Sequence, residues 1–154
     1  MAGTVIRNYK TEDKEEVLHL LRSNIPRYFA PEEEKDLVHY LEHEIESYFV
    51  IVMDERIAGC GGYNFSDNKK TGILSWDFLH PDFQGMSLGS ELVKFRVKLL
   101  RSTQVEKIIV RTSQFAWKFY EKQGFKLIEK AEDYWAKGYH MYKMEYHFLN
   151  STVI

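Results

Sequence analysis

The sequence predicts one α/β domain of the α+β kind, with a mixed, mostly antiparallel sheet of about seven strands, a central βαβ crossover and helices on both faces.

 Three observations carry that prediction. Strand-like and helix-like patterns follow one another in the order βααβββαβαββ. The second, third and fourth strands are joined by short turns, as antiparallel neighbours are. The stretch "KIIVRT" is apolar without alternation and follows a helix, as a central parallel strand does. A length of 154 residues suits a single domain, read here as 1–154.

Each element has its own signal. "TVIRNY" alternates and reads as the first strand. "TEDKEEVLHLLRS" reads as a helix with Thr11 as N-cap, acids in its first turn, and Val17, Leu18, Leu20 and Leu21 inward. "NIPRYFAP" is a loop. Pro31 stands at a first helical position before three glutamates and opens a second helix through Leu37, Tyr40, Leu41 and Ile45. "YFVIVM" is a buried strand, "DER" turns it, and "IAGCGGYNF" returns beside it. "SDNKKTG" is a further turn before "ILSWDFLH". A third helix turns Leu88, Leu92, Val93, Leu99 and Leu100 inward, and "KIIVRT" follows. "SQFAWKFYEKQ" is a helix that Ser113 can cap and Gly124 closes. "FKLIEKAEDY" and "HMYKMEYHFL" are the last two strands.

Composition narrows the function. Hydrophobic residues make up 44% and charged residues 29%, an ordinary globular balance, and the net charge of −2 gives no electrostatic case for nucleic acid. The single cysteine, Cys60, excludes an internal disulfide and fits a reducing cytoplasm. It reads as a small buried strand residue, since no partner that would activate it is identified. No apolar run approaches the roughly 18 residues of a membrane span. No histidine pair has ligand spacing, so no metal is expected.

The stretch "HPDFQGMSLGSELVKF" joins a strand to a helix through Gly85 and Gly89. A helix start offers unpaired N–H groups and a partial positive charge, and glycines let a ligand approach closely. The stretch reads either as a structural turn or as an anion cradle. It matches neither a P-loop nor a dinucleotide fingerprint. One strand later, Ala116 and Tyr120 share a helix face. A small residue beside a tyrosine leaves room for a ligand, and the hydroxyl can give a proton to a leaving thiolate. The alternative is a tyrosine packed in the core.

"DFQGMSLGSELVKF" resembles the acetyl-CoA signature of the GNAT N-acetyltransferase superfamily, Gln/Arg-x-x-Gly-x-Gly/Ala. "SQFAWKFYEKQGF" resembles its following motif, Asn-x-x-Ala-x-x-x-Tyr-x-x-x-Gly-Phe. The resemblance implies that Gln84, Gly85, Met86, Ser87, Leu88, Gly89 and Ser90 hold the pyrophosphate of acetyl-CoA. It implies that the main chain near Phe78, Leu79 and His80 pairs with pantetheine, with Ser113 and Ala116 beside that arm and Tyr120 as general acid. Ser87 stands where the signature has a glycine, and Ser113 where the motif has an asparagine. The implied activity is acetyl transfer to a primary amine of a small molecule or peptide, by direct attack in a ternary complex, in a cytoplasmic protein for which a homodimer is compatible. A non-catalytic acyl-CoA-binding or regulatory module on the same fold is the alternative.

An amine nucleophile must lose a proton. Asp77, His80, His140 and Glu44 are the groups considered for that task. Asp77 is either this base, beside the thioester, or a solvated or salt-bridged strand aspartate. The acids of "PEEEKDLVHYLEHEIE" are either a solvated helix face or an attraction for a cationic amine. Tyr28 and Phe29, in the loop before that helix, either set acceptor choice or serve as packing, and "DYWAKGYHMYKM" either lines the acceptor pocket or packs the sheet.

Overall fold

A computed structural model describes residues 3–148. Its elements are β1 (Thr4–Asn8), α1 (Lys14–Arg22), α2 (Glu33–His43), β2 (Ser47–Met53), β3 (Arg56–Phe65), β4 (Thr71–Leu79), α3 (Leu88–Arg101), β5 (Lys107–Ser113), α4 (Trp117–Lys122), β6 (Lys126–Ala136) and β7 (Tyr139–His147). The strands form one sheet in the order β1-β2-β3-β4-β5-β7-β6. Every neighbouring pair is antiparallel except β4 and β5, which the α3 crossover makes parallel. The expected element order and mixed sheet are therefore present. The expected end of the last strand at Leu149 lies outside the described residues. Among the described residues, no helix is long and apolar enough to cross a membrane.

The sheet separates two apolar layers. On one face, Val17, Leu21, Leu37, Tyr40 and Leu41 of α1 and α2 pack on Tyr48, Val50, Cys60 and Phe78. On the other, Leu92, Val93 and Leu100 of α3 pack on Phe49, Leu74, Ile108 and Val110. Tyr48, Phe49 and Val50 alternate between these layers because successive strand side chains point to opposite faces. β5 is buried through Ile108, Ile109 and Val110, which explains its lack of alternation.

Three helix starts differ from the sequence expectation. A short 3-10 turn, Thr11–Asp13, precedes α1, and it is the Asp13 carboxylate rather than the Thr11 hydroxyl that accepts a backbone N–H, that of Lys10 at 2.8 Å. Arg7 holds the same carboxylate at 2.8 and 3.0 Å, so the acid that was expected to favour the helix dipole instead ties β1 to α1. Pro31 lies in a turn before α2, where Ala30 O accepts the Glu33 N–H at 3.0 Å. α4 begins at Trp117, because Ser113 still belongs to β5 and its hydroxyl accepts the Phe115 N–H at 3.2 Å.

Two departures from regular pairing shape the centre of the sheet. β4 and β5 pair only from Thr71–Leu74 and Lys107–Val110, then separate. In the diverging part of β4, Trp76 has a positive φ of 52°, and the register with β3 shifts between Cys60 and Gly62. This is a bulge, which re-aims neighbouring side chains. The Tyr48 hydroxyl donates to the Trp76 carbonyl at 2.8 Å and holds it in place.

Candidate active site

The gap between β4 and β5 opens into a cavity of about 810 Å³. The N-terminal turn of α3 reaches its edge. Leu88 anchors that turn among Ile51 and Ala58, and a Cβ on Gly89 would come within 3.3 Å of the Phe119 ring. Gly89 thus lets α3 and α4 approach closely. Gly85 has φ +84°, where glycine carries no Cβ penalty. Ser87, the residue that departs from the motif, adopts φ +64° at the N-cap of α3, and its main-chain carbonyl accepts the Glu91 N–H at 3.0 Å. The left-handed turn that a glycine would make freely is therefore made by a serine. The first N–H groups of α3 have no partner within the helix, as at any helix start.

Of the sequence-predicted residues, Gln84, Gly85, Ser87, Leu88, Gly89 and Ser90 line the cavity from the loop, and Asp77, Phe78 and Leu79 from β4. Ser113, Ala116 and Tyr120 line it from the other side. Met86 and His80 do not. Met86 is exposed, whereas the His80 N–H donates to Ala58 O at 2.8 Å and its ring Nδ1 accepts the Asp82 N–H at 3.1 Å. The Leu79 carbonyl is also engaged, by the Asn24 side-chain amide at 2.9 Å.

Tyr120 sits at the floor of the cavity, and its local sequence explains why. Gly124 has φ +101° and donates to Glu121 O at 3.0 Å, while Phe125 N–H donates to Tyr120 O at 3.1 Å. These two bonds form a Schellman cap, which commonly adds an apolar contact between its outer residue and the third-last helical one. Here the buried Phe125 ring meets the Tyr120 ring at 5.7 Å and 75°. The Gly-Phe pair therefore fixes the tyrosine.

The Tyr120 hydroxyl donates to Asp77 Oδ2 at 2.6 Å. The fully buried Arg96 grips both Asp77 oxygens at 2.5 Å each, and its Nη1 also donates to Gly62 O at 3.0 Å. A forked guanidinium–carboxylate pair of this kind combines strength with fixed orientation. Gly61 leaves the space it needs: a Cβ there would lie 2.9 Å from Asp77 Oδ1 and 3.0 Å from Arg96 Nη1. Asp77 is thus the salt-bridged aspartate of the two readings offered by the sequence. Both its oxygens are engaged, Oδ1 by Arg96 and Oδ2 by Arg96 and Tyr120. Burial, then the Asp77 charge, raises the Tyr120 hydroxyl well above its ordinary pKa, with Arg96 opposing. The phenol keeps its proton at neutral pH.

The other groups considered as bases do not line the cavity. Glu44 is exposed at the end of α2, and His140 Nδ1 accepts the Asp133 N–H at 3.1 Å. The structure brings in a carboxylate that sequence reasoning missed, Glu33. It lines the cavity, is 5% exposed, and accepts the Ala30 N–H at 2.9 Å through Oε2. Burial raises its pKa, against the Ala30 hydrogen bond. Among the described residues, no group of three or more His, Cys, Asp or Glu side chains is placed to hold a metal.

The architecture has close structural counterparts. Ard1 from Thermoplasma volcanium superposes with a TM-score of 0.80 at 17% identity, covering 96% of this chain and 99% of that one. The ribosomal-protein-S18-alanine N-acetyltransferase of Escherichia coli gives 0.79 at 16% identity, over 99% of both chains. An aminoglycoside 6'-N-acetyltransferase complexed with coenzyme A gives 0.77 at 14% identity, over 94% of this chain and 97% of that one. At such identities the likeness concerns the fold. Curated proteins give no sequence match. The profile of the acetyltransferase (GNAT) family matches residues 14–125, from the start of α1 through the Tyr120 cap, and the chain belongs to the GNAT acetyltransferase family.

Proposed function

We propose that the protein transfers an acetyl group from acetyl-CoA to a primary amine of a small molecule or peptide, by direct attack within a ternary complex. One observation carries this reading. The Tyr120 hydroxyl is a buried, proton-bearing group oriented by Asp77, in the same cavity as the α3 helix start. In the reaction, the amine nitrogen bonds to the thioester carbonyl carbon and the C–S bond breaks. The amine releases a proton to water, and the departing thiolate takes one from Tyr120. Tyr120 breaks its hydrogen bond to Asp77 to do so and is afterwards reprotonated from solvent. The α3 N–H groups bind the pyrophosphate, and holding both substrates in one cavity supplies orientation.

The relatives' names point to dissimilar acceptors, a ribosomal protein's alanine in one and an aminoglycoside in another. The fold therefore does not choose the acceptor. Amines incubated with acetyl-CoA, read by free thiol, test the proposal. Amine-dependent thiol release that falls in Tyr120→Phe supports it. CoA binding with no release from any amine class favours the non-catalytic module, a reading kept in view because Asp77 is occupied and the other sequence-named bases lie off the cavity.

A further inference from the structure

Away from the α3 loop, the cavity changes character. Tyr28 and Phe29 of the α1–α2 loop, Trp76 of β4, and Trp135 and Tyr139 of the β6–β7 hairpin line this side. The elements are joined across it. The Tyr139 hydroxyl donates to Pro26 O at 2.6 Å, Tyr28 meets Phe115 edge-on at 5.7 Å, and Phe29 lies nearly parallel to Trp76 at 6.5 Å.

One carboxylate is set into this aromatic wall. Glu33 uses Oε2 for the Ala30 N–H, while Oε1 has no hydrogen-bond partner among the described residues. Oε1 is not fully enclosed, and Glu33 is one of the residues that line the cavity. Among the described residues, no cation forms an ion pair with Glu33. Of the two arginines that line the cavity, Arg96 is committed to Asp77, and Arg111, exposed on β5, makes no ion pair with Glu33. A desolvated carboxylate without a cation is costly unless a ligand brings one. Aromatic faces attract cations through their quadrupole, more strongly when water is excluded.

We propose that this chamber is a cation site, so that the acceptor is an organic ammonium with an apolar body, its charge held by Glu33 and by the surrounding ring faces. Calling that ligand the acceptor rests on the acetyl-transfer reading. The site itself rests on the chamber and on the free oxygen of Glu33.

Benzyltrimethylammonium is a suitable probe, because it is cationic, has an apolar body and has no N–H to acetylate. Its uncharged counterpart is neopentylbenzene, with carbon in place of nitrogen. In the intact protein with CoA present, calorimetry should show the cation binding at least about tenfold more tightly than the counterpart, and Glu33→Gln should weaken it by about tenfold. The neutral amide keeps an oxygen for the Ala30 N–H, and the comparison of the two probes on the unaltered protein needs no variant. Equal affinities, absence of cation binding, or an unchanged affinity in a folded Glu33→Gln protein overturns the site. Thiol release by phenethylamine is measured in parallel. Cation binding without thiol release from any amine supports the site and defeats acetyl transfer. Thiol release with no cation binding does the reverse.

Discussion

Two buried charges show what a single residue contributes. Arg96 falls on the inward stripe of α3 with Leu92, Val93 and Leu100, and Glu33 on that of α2 with Leu37, Tyr40 and Leu41. Both positions were legible from helical spacing, which puts residues three and four apart on one face. A reading that counts only apolar residues on the stripe passes over them, and their partners lie on other elements. The motif tyrosine was legible, whereas its link to Asp77 depends on a bulge that no local pattern announces. Removing Arg96 alone should leave Asp77 buried without a counter-charge. Arg96→Met should therefore lose about 3–5 kcal/mol of stability in urea unfolding, as loss of one partner of a buried pair does. Asp77→Asn combined with it should cost less than the sum of the two single changes. Strict additivity would show that the pair is not coupled. Tyr120→Phe tests the chemistry instead. Turnover should fall on the order of 10²-fold while acetyl-CoA affinity stays nearly constant, and an undiminished rate at saturating amine would remove Tyr120 as the acid.

At the scale of elements, strands and helices were legible in kind and order because apolar periodicity persists over whole segments. Their starts were not. Thr11, Pro31 and Ser113 each carry a helix-start signal, yet each sits in a turn or strand end whose hydrogen bonds are local competitors of the helix. The start of α3 is the one with consequences for a ligand. An aspartate near a helix N-terminus suits the helix dipole but repels a phosphate placed at the same N–H groups. Ser90→Asp should thus leave the melting temperature unchanged or slightly higher while weakening CoA about tenfold or more in calorimetry. A variant that binds CoA as well as the original protein would move the pyrophosphate away from α3.

Across the molecule, the carboxylates of Asp13 and Glu33 pull the pH dependence of stability in opposite directions. Arg7 lowers the Asp13 pKa, so its contribution is present above the ordinary aspartate value of about 3.9 and fades as pH falls through the depressed folded value. Burial raises the Glu33 pKa, so the folded chain holds that proton more tightly than the unfolded chain. Ionised Glu33 costs stability at neutral pH, and the cost is relieved as pH falls through its folded value toward about 4.3. Ligand-free Glu33→Gln should melt higher than the original protein at pH 7, with the gap narrowing in mild acid. A gap of the opposite sign, or one that widens in acid, would contradict the burial effect. The aromatic wall is separable from this. Tyr28→Ala with Phe29→Ala should raise the acceptor KM by about tenfold and leave that for acetyl-CoA near its original value. Equal losses for both substrates with a lowered melting temperature would mark the two rings as packing alone.

The parting of β4 from β5 leaves an edge in the middle of a sheet. From Ser75 to Leu79, β4 is paired with β3 on one side only, while β5 continues along β7. Backbone groups on that inner margin resemble those of an outer strand, which attract any extended chain that fits. A ligand there would act as a temporary splint between two half-sheets otherwise joined by four rungs. Its occupancy should slow amide exchange along 75–79 and raise the melting temperature in step with CoA concentration, by a stabilisation of about 2.7 kcal/mol at one hundred times the dissociation constant. The two halves should then unfold as one cooperative body when loaded, whereas the empty sheet should open first along this seam.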